Sequence, residues 1–244
     1  MIFLKRPLFR SYLESSIFNL KTFTMKKNTL FLLIAILFIG YPLFAQFGLQ
    51  AGAVFSSAKE KYEGISMEYG TKTGFTFGAF YRKDFGGKFA FQPEINFSQK
   101  GGKYSETIDE GDGTYDLDMD LNLNYLEIPL YFLYNGGKTS GFYGGLGPSF
   151  NWGLSGKVKV NGESDDIKFG NDEDLKPFFL GINGMVGYQM QNGFTANAFV
   201  TQSLTNSDTD EETDATFNMF SFGIRLGYMM NFNKTAKTNL KPAL

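Results

Sequence analysis

Between Lys88 and Lys100 the chain reads KFAFQPEINFSQK, and every second residue is bulky and apolar: Phe89, Phe91, Pro93, Ile95 and Phe97. The residues between them, Ala90, Gln92, Glu94, Asn96 and Ser98, are small or polar. A period of two belongs to an extended strand, whose side chains point alternately to opposite faces. The segment therefore carries one apolar and one polar face. Gly86-Gly87 precedes it, and two glycines can take the positive φ angles that a two-residue hairpin turn demands.

The alternation recurs in eight segments: 47–56, 74–85, 88–100, 121–134, 142–154, 178–189, 194–204 and 220–232. Gln191-Asn192-Gly193 adds a second hairpin signal. Within 121–134 the apolar positions run Leu121, Leu123, Tyr125 and then change parity to Leu126, Ile128, Leu130, Phe132. One extra residue in a strand has this effect, so a β-bulge is expected near Tyr125-Leu126. The connections alternate between long and short, the long ones being loops 57–72, 101–120, 156–176 and 205–216. An even number of strands joined in this way predicts an all-β, eight-stranded antiparallel up-and-down barrel.

Two barrels fit such a pattern, and they differ in which face meets water. A soluble ligand-binding barrel turns its apolar face inward; a transmembrane barrel turns it to lipid. The apolar face here carries Phe, Leu, Ile, Tyr or Trp at nearly every position, and the interior of eight strands has room for few such groups. The opposite face is rich in Gly, Ser, Thr and Asn, which suits a narrow polar lumen. The strands are also long enough to cross a bilayer at a tilt of about 45°. The transmembrane reading is the stronger one, with outer-membrane lipid as the surrounding partner.

The N-terminus agrees with an exported protein. Met25-Lys26-Lys27 opens a basic segment, Leu30 to Ile39 is wholly apolar, and Phe44-Ala45-Gln46 follows. This is the layout of a secretory signal peptide spanning 1–45 with cleavage after Ala45, although Leu43 at position −3 is larger than usual. Residues 1–24 read as lying upstream of the true start at Met25. The barrel then occupies 46–232, and 233–244 form a polar C-terminal tail. With the N-terminus in the periplasm, the long loops are extracellular.

Composition narrows the chemistry. The chain has no Cys and no His, which removes disulfides, thiolate and imidazole catalysis, and His-ligated zinc or haem. A non-catalytic protein without a cofactor is expected. Residues 46–244 hold 17 basic and 24 acidic side chains, which argues against a nucleic-acid partner. The polar face carries Arg82, Glu94, Glu127 and Arg225, and counting from the turn end puts Glu94, Glu127 and Arg225 at similar depth. Buried charges persist when paired, so Arg225 is expected to reach Glu94 or Glu127 in a structural cluster filling the lumen. Asp112, Asp116, Asp118 and Asp120 make a weak Ca²⁺ candidate, lacking EF-hand spacing, and the expectation is a solvated loop with no metal. Tyr81, Tyr125, Trp152, Tyr188 and Tyr228 are expected in interfacial aromatic girdles.

The segments FGLQAGAVFS (47–56), GFTFGAFYRKDFGGKFAFQPEINFSQKG (74–101), NYLEIPLYFLY (124–134) and GFYGGLGPSF (141–150) resemble the PorT-like outer-membrane β-barrel family of Bacteroidetes. The closing segment FGIRLGYMMNF (222–232) looks like the terminal strand read by barrel-assembly machinery. The resemblance spans most of 47–232, with QPE and YLEIPL its more informative motifs; the tail beyond Phe232 departs from it. It implies an outer-membrane barrel and little about activity; the expectation for the chain is an envelope structural or surface-binding role, with an accessory part in a secretion or transport assembly as the alternative. It names no reaction and no envelope protein partner.

Overall fold

The computed structural model describes residues 45–62, 65–109, 114–137, 140–170, 173–207 and 216–231. The expected leader through Phe44, the tail 233–244, Asp112 and the acidic stretch 208–215 lie outside these residues. Ten strands are formed: β1 (Ala45–Tyr62), β2 (Ile65–Glu68), β3 (Lys72–Asp84), β4 (Phe89–Asp109), β5 (Thr114–Asn135), β6 (Gly141–Val160), β7 (Glu163–Ile167), β8 (Phe178–Gln189), β9 (Phe194–Ser203) and β10 (Thr216–Asn231). Eight of them pair in sequence order, and β10 pairs antiparallel with β1 to close the ring. The fold is therefore an all-β, eight-stranded antiparallel up-and-down barrel. The short strands β2 and β7 pair only with β1 and β6, beyond the ring.

The faces are sorted as the alternation requires. On β10, Ser221, Gly223, Arg225, Gly227 and Met229 are buried in the lumen, while Phe222, Ile224, Leu226 and Tyr228 are exposed on the outer wall. The apolar face of the other barrel strands is likewise outside. At the short-turn end, four of the eight neighbouring strand pairs oppose a Phe to a Tyr: Phe47↔Tyr81, Phe89↔Tyr134, Phe142↔Tyr188 and Phe194↔Tyr228. At the other end sit aromatic groups formed by Phe55 with Phe222, Phe75 with Phe97, and Phe150 with Trp152 and Phe178. Along β10 the two belts are separated by the stretch from Tyr228 to Phe220. At about 3.4 Å per residue and a tilt near 45°, that is a band of roughly 20 Å.

Three expectations need correction. First, much of the long loops is strand. Residues 101–109 and 114–120 extend β4 and β5 as one ladder, and 156–160 pairs with β7 through the Asn161-Gly162 turn, where both residues have positive φ (50° and 93°). Asn-Gly between two strands is a strong hairpin signal. Second, β5 has no parity switch: Leu121, Leu123, Tyr125, Glu127, Pro129, Tyr131 and Leu133 are all buried. What changes is the opposite face, polar at Asn122 and Asn124 and apolar from Leu126 through Phe132, while the lumen side at 121–125 is filled by apolar groups. The bulge lies on the neighbouring strand, where Asn124↔Ser155 is followed by Tyr125↔Gly153 and Leu154 is left over. Third, the Gly86-Gly87 turn is longer than two residues. Asp84 pairs with Ala90, and Phe85 N–H donates to the Phe89 carbonyl at 3.0 Å around Gly86, Gly87 and Lys88. Both glycines do take positive φ (86° and 69°).

Candidate functional site

The side chains that chemistry could use converge in the lumen. Glu94, on the buried face of β4, is the hub. Arg225 on β10 reaches across to it, Nη1 donating to Oε2 at 2.8 Å, with the two side chains 2% and 0% exposed. Gln50 on β1 and Asn96 donate to the same oxygen, each at 2.9 Å, and Gln92 donates to Oε1 at 2.7 Å. Arg225 is held in turn by Asn197, whose Oδ1 accepts from Nε at 3.0 Å, and its guanidinium lies 4.2 Å from the Phe199 ring centroid. A buried carboxylate in an apolar wall would be costly; four donors and an opposite charge satisfy it.

Arg82 does not touch Glu94 directly. Its Nε donates to Gln92 at 2.7 Å, its Nη1 donates to Gln189 at 2.8 Å, and it stacks 4.3 Å over Tyr143. Gln92 therefore links Arg82 to the hub. Glu127 belongs to a neighbouring pair: it accepts from Ser98 Oγ at 2.6 Å and forms a salt bridge with Lys100. Nearer the end opposite the short turns, Lys72 bridges Asp120. Sequence reasoning missed Lys100, Gln50 and Asn197 as members. The signal for Lys100 was present, since it continues the even-numbered polar face of 90–98. Gln50 and Asn197 depend on the closing register of β1, β9 and β10, which no local pattern announces.

Apolar layers flank the charges. Val54, Ala90, Tyr131, Leu133, Tyr143, Met185 and Phe199 form one buried cluster. Toward the end opposite the short turns, Tyr125, Leu121, Leu123, Phe179, Phe217 and Met219 form another. Between β7 and β8, Phe169 and Leu175 bridge to each other and pack on this cluster, Leu175 buried in it and Phe169 meeting the Tyr125 ring edge-on at 5.7 Å. Tyr69 closes the rim, its hydroxyl donating to Glu60 Oε2 at 3.0 Å. Burial, and then the Glu60 carboxylate, push that phenol well above the ordinary tyrosine range.

Tyr125 is thus a lumen residue and not a girdle residue: it is 1% exposed and also meets Phe179 edge-on at 5.3 Å. The other four aromatics face outward, Tyr81, Tyr188 and Tyr228 in the Phe–Tyr ring and Trp152 in the opposite belt. Tyr134 is the fourth tyrosine of that ring. Asp116, Asp118 and Asp120 stand on strand β5 and not on a loop. Asp116 accepts from Thr107 at 2.7 Å and Asp118 from Ser105 at 2.6 Å. Among the described residues, no group of three or more His, Cys, Asp or Glu side chains is arranged to hold a metal ion.

A family model described as outer membrane protein beta-barrel domain matches residues 40–209. No curated protein matches the chain. Among solved structures it is similar to Ail, the attachment invasion locus protein of Yersinia pestis, at 13% identity over 77% of this chain and 100% of that one, with a TM-score of 0.41. It is similar to Neisserial surface protein A at 15% identity over 74% and 96%, TM-score 0.44. A third likeness is to the outer membrane protein OprG from Pseudomonas aeruginosa, at 14% identity over 77% and 97%, TM-score 0.42.

Proposed function

The chain belongs to the outer membrane protein β-barrel domain family, and on that premise we propose that it is a small non-catalytic barrel acting through its outer crown, in an envelope structural or surface-binding role. The observation that carries this reading is the filled lumen. The Glu94–Arg225 hub and the apolar cluster around Tyr125 occupy successive levels of the bore, as expected for eight strands. Carboxylates each paired with a buried cation and held behind apolar layers are poorly placed to exchange protons with a substrate. Among the described residues, what remains for contact with other molecules is the part of β1–β2, β4–β7 and β10 that rises past the upper aromatic belt.

In this reading the N-terminus and the short turns are periplasmic, the crown is extracellular, and the two aromatic belts sit at the membrane interfaces. A secretory leader is removed after Ala45, and β10 is the strand recognised by barrel-assembly machinery. The finer placement, among PorT-like barrels of Bacteroidetes, rests on the segments quoted above. A second reading, an accessory component of a secretion or transport assembly, is favoured by unpaired strand edges in the crown, which suit a partner chain.

Cell fractionation with gel migration before and after boiling tests the barrel in its membrane. Cysteine introduced at Ser164 (in the crown) or Lys83 (at the turn end), followed by labelling of intact cells with a membrane-impermeant maleimide, tests the orientation. Labelling at Ser164 and none at Lys83 is expected; the reverse pattern refutes the crown as the working surface. The natural absence of cysteine makes each label unique.

A further inference from the structure

Above the membrane band the barrel wall divides. On one side stand β10, β1 and β2; on the other stand β4, β5, β6 and β7. At the foot of the division, Gly70 and Lys103 exchange two backbone hydrogen bonds, Gly70 N–H to the Lys103 carbonyl at 2.6 Å and Lys103 N–H to the Gly70 carbonyl at 3.1 Å. Among the described residues, β2 and β4 are not paired with each other beyond that bridge.

Backbone parity shows what faces the gap. In an antiparallel ladder a residue sends its N–H and C=O to one side and the next residue sends them to the other. Tyr69 N–H goes to Ala58 on β1 and Gly70 goes to Lys103, so Ser66 and Glu68 direct their backbone groups away from β1 and toward β4. Because Lys103 bonds to Gly70, Ser105 and Thr107 turn theirs away from β5 and toward β2. All four residues are exposed. Two free strand edges therefore face one cleft, and each is a template for another strand.

We infer that this cleft binds an extended, lysine- or arginine-bearing segment of a partner protein by strand addition between β2 and β4. The hydrogen-bonding edges select an extended backbone. Charge selects its side chains: residues 101–120 hold seven Asp and Glu against one Lys, and Glu106, Asp116 and Asp118 stand exposed on the β4–β5 hairpin. Opposite charge steers the encounter, and the backbone bonds hold the product. The inference rests on the crown being the working surface.

The test adds a short fluorescein-labelled peptide of alternating lysine and valine to the full barrel in lipid nanodiscs and follows anisotropy. Two controls accompany it: the same peptide N-methylated on alternate residues, and the Ser105→Pro barrel. Binding that weakens about tenfold on methylation, the equivalent of one net backbone hydrogen bond, is expected. Ser105→Pro removes one donor at the cleft and should weaken binding by a similar factor. Equal binding of both peptides, lost in parallel as salt rises, reduces the effect to bulk charge and overturns strand addition, as does no binding at all. The methylated peptide acts on the unaltered barrel, so the result stands even if the proline variant misfolds. Nanodiscs leave both ends accessible; a wrong orientation in cells fails the maleimide experiment while leaving this one intact.

Discussion

Replacing Glu94 with glutamine leaves the Arg225 guanidinium in the lumen with Asn197 and the Phe199 ring but without its counter-charge. Replacing Arg225 with methionine leaves the carboxylate with only neutral donors from Gln50, Gln92 and Asn96. Breaking one side of a buried pair costs about 3–5 kcal/mol, because the other charge stays buried, whereas replacing both partners together is often close to neutral. Each single variant should therefore lose about 3–5 kcal/mol, and the double variant should recover most of it. The assay is urea unfolding of barrels refolded into lipid vesicles, read by the fluorescence of Trp152, the one tryptophan, which stands on the outer wall at 38% exposure. With a urea dependence of about 1–3 kcal/mol per molar, the single variants should shift the midpoint by more than about 1 M. The decisive quantity is the coupling, expected at or above about 3 kcal/mol, the upper end for touching residues. If the two single losses simply add in the double variant, the hub is not a coupled pair and the account of the lumen fails.

The other predictions concern separate elements. Lys100→Met should destabilise the barrel about as much as Arg225→Met by stranding buried Glu127, while Lys59→Met should leave the urea midpoint unmoved because its pair with Glu68 stands in solvent. Gly48→Val should cost about 1–3 kcal/mol, since even a Cβ there would meet the Phe80 ring at 2.2 Å; an unchanged midpoint would refute that close approach. Leu175→Ala should cost about 2–5 kcal/mol by cavity formation if the segment between β7 and β8 is packed as described. Gly162→Val should loosen the β6–β7 hairpin, seen as faster amide exchange at 157–167, with the barrel's gel migration before and after boiling unchanged.

The reach of local pattern is clear in β4 and β5. Period-two alternation located both strands and assigned Glu94, Glu127 and Arg225 to one interior, because a side chain's face follows from parity alone. The same rule misplaced Tyr125. It assumed that apolar means outward, but the lumen face of β5 is itself apolar at Leu121, Leu123 and Tyr125, which keep the buried parity. Acidic composition likewise concealed strand at 101–109 and 114–120, where Ser105–Asp118 and Thr107–Asp116 pairs let charged residues sit in an exposed ladder.

From the sequence alone came the strand period, the order of long and short connections, the number of strands in the ring and the charges of the interior, since each depends only on neighbours along the chain. The tertiary structure decided which carboxylate meets which cation, where the bulge lies, and that the crown opens between β2 and β4. Those depend on the register at which β10 returns to β1 and on which strands lie across a narrow bore. Contacts between residues as far apart as Glu94 and Arg225 leave no periodic trace in the sequence; they exist only once the ring is closed.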